Sequence, residues 1–128
     1  MIIGIGTDII DIRRIQNTIS KYGMRFKTKC FSKNEIIRSE KLYNSINSYA
    51  KRYAAKEACS KALGTGLAKG IFWKDIEIQN NEDGKPFIIL HNNALKRIIK
   101  LTNKKYIIDV SLSDERNYAI ANVIISET

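Results

Sequence analysis

A chain of 128 residues, 44% hydrophobic and 9% aromatic, can bury one core without disulfide or metal staples, and a single domain over residues 1–128 is expected. No apolar run approaches the ~20 residues of a membrane span, which excludes that class, and no leader of basic, apolar and small residues opens the chain, so a cytoplasmic protein is expected. With 22 Lys and Arg against 13 Asp and Glu, the formal charge of +9 calls for an anionic partner: a phosphorylated small molecule, a nucleic acid or an acidic protein.

Residues 2–8 alternate Ile3 and Ile5 with Gly4 and Gly6 and end in Thr7-Asp8. That is the pattern of a strand with a glycine face that admits a close neighbour and a carboxylate at its end. A lone Asp8 reads as a turn cap; it gains chemical interest only if Glu57 lies beside it. Ile12, Ile15, Ile19 and Tyr22 then share one helical face, with Asp11 as N-cap and Gly23 as C-terminal stop. The opposite face carries Arg13, Arg14, Asn17 and Lys21 and continues into Met24, Arg25, Phe26 and Lys27. It is either a solvated face with Phe26 anchored in the core or a docking surface for an acidic helix. Ser32-Lys33-Asn34-Glu35 has capping-box spacing and predicts a helix from Lys33 through Leu42, broken by Asn44 to Ser48.

The next helix organises the chain. Ala50, Ala54, Ala58 and Ala62 recur every four residues and form a stripe of small side chains that another element can approach closely. Tyr53, Glu57 and Lys61 share a second spacing of four, which sets a carboxylate and an ammonium on one face with Cβ atoms ~6 Å apart. In isolation such a pair is solvated and worth ~0.3 kcal/mol. Its setting, between the small-residue stripe and a two-glycine exit, is more than a surface helix needs. Gly64 supplies the left-handed residue that ends the helix, and Gly66 is expected to leave backbone N–H groups open in the loop.

From Gly70 the period becomes two. Ile76 and Ile78 alternate with Asp75, Glu77 and Gln79, and Asn80 to Lys85 turns the chain into Pro86 to Leu90, a hairpin whose second strand begins at an edge or cleft because proline has no ladder N–H. Asn92 or Asn93 caps a short helix with apolar positions Leu95, Ile98 and Ile99. A second hairpin joins the strand through Ile108, Val110 and Leu112 to Tyr118–Ser126. Cys30 and Cys59 show no ligand spacing with His91 and are expected to be buried thiols in a reducing compartment; His91 receives no role. Helices followed by hairpins predict an α+β fold with a mostly antiparallel sheet and helices packed on it.

Three blocks in this order, Gly4-Ile5-Gly6-Thr7-Asp8-Ile9, Arg52 to Gly66, and Asp75-Ile76-Glu77-Ile78 with Gly84-Lys85-Pro86, resemble the holo-[acyl-carrier-protein] synthases of the 4′-phosphopantetheinyl transferase superfamily. The match spans nearly the whole chain, and the central block is the specific one. The resemblance implies a magnesium-dependent enzyme of fatty acid biosynthesis that moves 4′-phosphopantetheine from coenzyme A to a serine of apo acyl carrier protein and releases adenosine 3′,5′-bisphosphate. It also implies a homotrimer with coenzyme bound between subunits and metal held at the positions of Asp8 and Glu57. Magnesium needs only one or two carboxylates beside waters and phosphate oxygens, so this pair suffices.

By the same resemblance, Asp8, Glu57 and Lys61 form the catalytic group, with Lys61 neutralising phosphate charge. Arg52, Lys61, Gly64, Thr65, Gly66 and Pro86 bind the coenzyme, and Arg13, Arg14, Lys21 and Phe26 dock the acidic carrier protein. Glu57 or a metal-bound water takes the serine proton, and the water is favoured because a metal-bound carboxylate is a poor base. One departure stands out: the family commonly has Ser-x-Ser-His in the final hairpin, where this chain has Ser111-Leu112-Ser113-Asp114. A carboxylate there motivates a second reading, a non-catalytic coenzyme A or carrier-protein binder. The net charge motivates a third, a basic nucleic-acid-binding domain, although no recognition-helix, zinc-finger or ribonucleoprotein motif occurs.

Overall fold

In the computed structural model, which describes residues 1–128, β1 (Ile2–Asp11) leads into α1 (Ile12–Tyr22), α2 (Met24–Cys30), α3 (Lys33–Glu40) and the long α4 (Ser45–Ala62). A 3-10 turn, Trp73–Asp75, precedes the hairpin of β2 (Ile76–Asn80) and β3 (Pro86–Leu90); then come α5 (Asn92–Leu101) and the hairpin of β4 (Tyr106–Asp114) and β5 (Tyr118–Glu127). All pairings are antiparallel, β1-β5-β4 in one sheet and β2-β3 in another, which is the expected α+β class.

Local signals set most boundaries. Asp11 opens α1 by accepting the Arg13 amide at 2.9 Å, and Gly23, at φ +55°, closes it. The Ser32–Glu35 capping box forms in both directions, but α3 ends at Glu40, two residues short of Leu42. α4 starts earlier than its polar prelude implied. Asn44 accepts the Asn47 amide, and Ser45 to Ser48 form the first turn, because side chains that compete with a helix in mid-course support it at the start.

α4 is enclosed on most of its circumference. Its four-residue alanine stripe is buried, and β1 lies against it backbone to backbone. A Cβ added to Gly4 would stand 2.0 Å from the Ala62 carbonyl oxygen, and one on Gly6 1.9 Å from that of Ala58. On the other side, Lys56 is fully buried and donates to Glu35 at 2.8 Å and to the carbonyls of Trp73 and Ile76. Burial pulls its ammonium below the ordinary lysine value while Glu35 holds it up. Glu35 also accepts the amides of Ser32 and Ile78, so one ion pair ties α3 and β2 to α4.

The period-two pattern of β2 does not place its polar residues in water. Glu77 is buried, accepts the Ser32 hydroxyl at 2.6 Å and lies 3.0 Å from His91 Nε2, the partner that the sequence around His91 did not disclose. α5 is also rotated from expectation. Ala94 and Ile98 face the core, whereas Leu95 and Ile99 are 38% and 63% exposed. His91 takes the N-cap position because its amide bonds to the Asp75 carbonyl, and Asn93 instead donates to the Gly70 carbonyl at 2.7 Å. Cys30 and Cys59 are free and buried, and burial pushes the Cys59 thiol up to about 12.

The sheet's inner face, Gly4, Gly6, Ala119, Ala121, Val123 and Ile125, packs on α4. Its outer face leaves Ile5, Ile9 and Ile107 at 69%, 60% and 50% exposure. No helix is long and apolar enough to cross a membrane.

Candidate active site

β1 runs on to Asp11, so Asp8 stands inside the strand rather than at its end, opposite Ala121 and on the face toward α4. The glycine contact brings it within reach of the second helical face. Lys61 Nζ lies 3.1 Å from Asp8 Oδ1 and 3.0 Å from the Thr7 carbonyl oxygen. Glu57, one turn earlier, is half-buried. Burial, and then the charge of Asp8, push its carboxyl above the usual range, against the opposing pull of Lys61 and Arg14. Asp8, Glu57 and Lys61 therefore form one cluster, and α1 adds Arg14 at its rim.

This donor set fits magnesium. No group of three or more His, Cys, Asp or Glu side chains gathers anywhere in the chain, so no protein cage exists. Magnesium does not require one, since it keeps waters and takes substrate phosphate oxygens beside one or two carboxylates. Burial raises the Glu57 carboxyl first and the charge of Asp8 adds to it, and a cation between the two acids would oppose both effects.

The exit loop differs from expectation in one respect. Gly64 and Gly66 have φ of +81° and +61°, as a left-handed helix exit requires. Their amides are not open, however. Gly64 donates to the Lys61 carbonyl, and Thr65 and Gly66 donate to that of Ser60, so the loop satisfies the helix's last carbonyls before any ligand arrives. What it offers is space, for a Cβ on Gly66 would meet nothing within 4 Å.

Arg52 and Pro86 lie away from this cluster. Arg52 is buried, donates from Nη1 to the Ile78 carbonyl and from Nη2 to Asn80 Oδ1 at 2.7 Å, and leaves Nε without a partner. It lines a cavity of about 400 Å³ together with Arg38, Lys51, Asn80, Gly84 and Asp114. Pro86 pairs with Asn80, which lines the cavity, but does not itself line it. Asp114 accepts from Asn47 Nδ2 at 2.8 Å and lies 3.6 Å from Lys51 Nζ. Lys51 and Glu57 are about 120° apart around the helix, so cavity and carboxylates occupy different faces of α4.

The basic face of α1 and α2 is divided. Arg13 is engaged by Asp11 through two bonds of 2.9 and 2.7 Å, while Arg14 and Lys21 are exposed. Phe26 is half-buried with its ring 5.9 Å from Phe31 and 6.1 Å from Tyr53, yet it also lines a surface cavity of about 350 Å³ with Thr18, Tyr22, Arg25 and Lys29. Core anchor and surface contact are both properties of this one side chain.

A family model described as the 4′-phosphopantetheinyl transferase superfamily matches residues 4–123, which include Asp8, Glu57 and Lys61. The chain belongs to this family. The holo-[acyl-carrier-protein] synthase of Rhizobium meliloti strain 1021 is 50% identical over 127 residues, 98% of this chain and 91% of its own. The holo-[acyl-carrier-protein] synthase of Neisseria meningitidis has a crystal structure that superimposes with a TM-score of 0.87 at 32% identity, covering 99% of this chain and 100% of its own. That of Bacillus anthracis, solved in complex with CoA (3′,5′-ADP), gives 0.82 at 33% identity over 100% of this chain and 99% of its own. The chain is thus an enzyme of phosphopantetheinyl transfer.

For a 4′-phosphopantetheinyl transferase, the residues that sequence reasoning passed over are informative. Arg38 and Lys51 meet Asp114, noted in the sequence only as a departure from the family's histidine, at the large cavity from α3, α4 and β4, which only the tertiary fold brings together. Of the two passed over, Lys51 had a signal, since it directly follows Ala50, the first residue of the buried stripe, and precedes Arg52.

Proposed function

We propose that this chain transfers 4′-phosphopantetheine from coenzyme A to a serine of apo acyl carrier protein, in a magnesium-dependent reaction that releases adenosine 3′,5′-bisphosphate and serves fatty acid biosynthesis in the cytoplasm. The observation that carries this reading is the meeting of Asp8, Glu57 and Lys61 from two elements, with Lys61 Nζ 3.1 Å from Asp8 and Glu57 raised first by burial and then by the charge of Asp8.

Asp8 and Glu57 would hold magnesium, which, when bound, would supply positive charge to the oxygens of the coenzyme's diphosphate linkage, the linkage that breaks as adenosine 3′,5′-bisphosphate leaves. Lys61 adds a second cation at the same place. Its bond to the Thr7 carbonyl aims the ammonium, so that it need not reorganise when phosphate arrives. Arg38, Lys51 and Arg52 give the large cavity the charge for the nucleotide's phosphates, and the unpartnered Nε of Arg52 is a donor awaiting an acceptor. Cavity and carboxylates lie on different faces of α4, which supports a coenzyme that spans two copies of the chain. The exposed isoleucines of the outer sheet face supply the apolar surface for the homotrimer this requires. Arg14, Lys21, Phe26 and the cations beside them form the docking face for the acidic carrier protein.

The deciding measurement is the mass of an apo acyl carrier protein after incubation with the chain, coenzyme A and magnesium. A gain of about 340 Da, one phosphopantetheine by covalent formula, is expected, and a chelator should abolish it. Asp8→Asn and Glu57→Gln are expected to remain folded, to lose at least about 100-fold in rate, and to lose the rise in melting temperature that magnesium gives the parent. Full turnover in either variant would remove the metal assignment. No mass gain while coenzyme A still binds would leave a binding protein.

A further inference from the structure

Away from both the carboxylate cluster and the large cavity, four cations converge on one groove. α5 presents Lys96, Arg97 and Lys100 on a single helical face, at spacings of three and four, and that face looks across a concavity of about 280 Å³ at Lys69 in the loop beyond α4. None of the four is in an ion pair anywhere in the chain. No carboxylate lines the groove, and Ile71 is its one apolar wall. Like charges this close repel within the ~8 Å Debye length of physiological salt, and the fold holds them together all the same.

The groove is also built. Lys69 has φ +56°, a left-handed conformation that costs a side-chain-bearing residue energy, and Gly70 follows it at +82°. The Gly70 carbonyl is pinned by Asn93 Nδ2 at 2.7 Å, and Arg97 Nε donates to the Leu63 carbonyl at 2.9 Å. Arg97 thus spends one donor on the end of α4 and keeps its terminal nitrogens for the groove, where Thr65 adds a hydroxyl-bearing side chain. The volume falls at the lower edge of the ~300–1,000 Å³ common for small-molecule pockets. A ligand of low apolarity, small size and several negative charges matches it. There is no aromatic platform for a nucleic-acid base and no apolar wedge for a membrane.

We propose that this groove is a second anion site, which binds the polyphosphate group of a small phosphorylated molecule. Arg97 links it to the Leu63 carbonyl, two residues beyond Lys61, so occupancy bears directly on the end of α4. The groove shares Thr65 with the exit loop assigned to the coenzyme by resemblance, while its four cations are separate from Lys61 and Arg52.

The test is calorimetric titration of the whole protein with inorganic tripolyphosphate in magnesium-free buffer at fixed ionic strength. With the large cavity disabled by Lys51→Glu, one equivalent is expected to bind, and adding Lys96→Glu/Lys100→Glu, both at exposed positions, is expected to weaken it by at least about tenfold. Lys33→Glu/Lys105→Glu, with the same change in net charge outside the groove, should alter it less than about threefold. A nucleoside triphosphate in place of tripolyphosphate identifies the source: equal affinity marks the phosphate chain as the recognised group, and tighter affinity marks its nucleoside form. Absence of binding, equal loss in both charge-reversed variants, or loss on Lys51→Glu with retention in Lys96→Glu/Lys100→Glu would overturn the site, the last by moving the anion to the large cavity.

Discussion

Two buried residues show how charge is made to hold the fold. Lys56 is surrounded by Glu35 and two carbonyls, and its removal leaves Glu35 ionised and enclosed. Lys56→Met is expected to lower unfolding free energy by about 3–5 kcal/mol in urea melts; a loss under about 1 kcal/mol would show that water reaches Glu35. Glu77 gives a pH signature. Burial raises its carboxyl, but bonds to Ser32, His91 and Gln79 outweigh it and hold it below the ordinary 4.5. Its stabilisation is therefore complete above that value and fades as pH falls through it. The melting-temperature difference between the parent and Glu77→Gln should be largest near pH 6 and shrink toward pH 3, on the order of the carboxylate range, whereas a constant difference would assign Glu77 a purely steric role. Glu57 and Lys61 were legible as a pair from helical spacing, whereas Asp8, which alone reads as a turn cap, became a candidate beside them only through the family resemblance. The buried state of Lys56 was not legible, because a lysine two residues along from Ala54 looks the same in sequence whether its side of the helix meets water or β2.

At the scale of elements, the contact between β1 and α4 decides whether a site exists. Gly6→Ala would drive a methyl to 1.9 Å from the Ala58 carbonyl oxygen, a backbone atom that cannot turn aside. The expected result is a loss of at least about 1–3 kcal/mol together with a fall in turnover larger than the fraction unfolded explains, since β1 carries Asp8 away from Lys61. Gly66→Ala, with open space around it but φ +61°, should cost stability while leaving the Asp8–Lys61 contact in place. The glycine and alanine stripes announced this close approach in the sequence. Boundaries that depend on neighbours were less visible: α4 begins at Ser45 because Asn44 caps it, and α5 is rotated because β3 and the 3-10 turn fix His91 first. The open amides expected beyond Gly64 proved to be spent on the helix's own carbonyls, a local economy that spacing does not reveal.

For the molecule as a whole, the sheet divides two tasks. Its inner face buries α4, and its outer face carries Ile5, Ile9, Ile107 and Ile120 into solvent in a single copy. Light scattering of the native protein should give three times the chain mass of 14.6 kDa, and Ile5→Lys/Ile9→Lys should give the single-chain mass. A native protein of single-chain mass would remove the homotrimer. Neither the outer face nor the cavity of Arg38, Lys51 and Asp114 could be read from the chain in order, because both are assembled from strands and helices far apart in sequence.

The seam of Gly4 and Gly6 against Ala58 and Ala62 has a consequence for how the protein comes apart. No side chain separates the two backbones there, so the seam has no rotamer to flip and no gap for water to enter. Local opening draws on regions with few buried contacts, and this seam lies in the core. The acid pair is thereby excluded from fraying motions, and activity should be lost with the last cooperative unit to unfold rather than ahead of it.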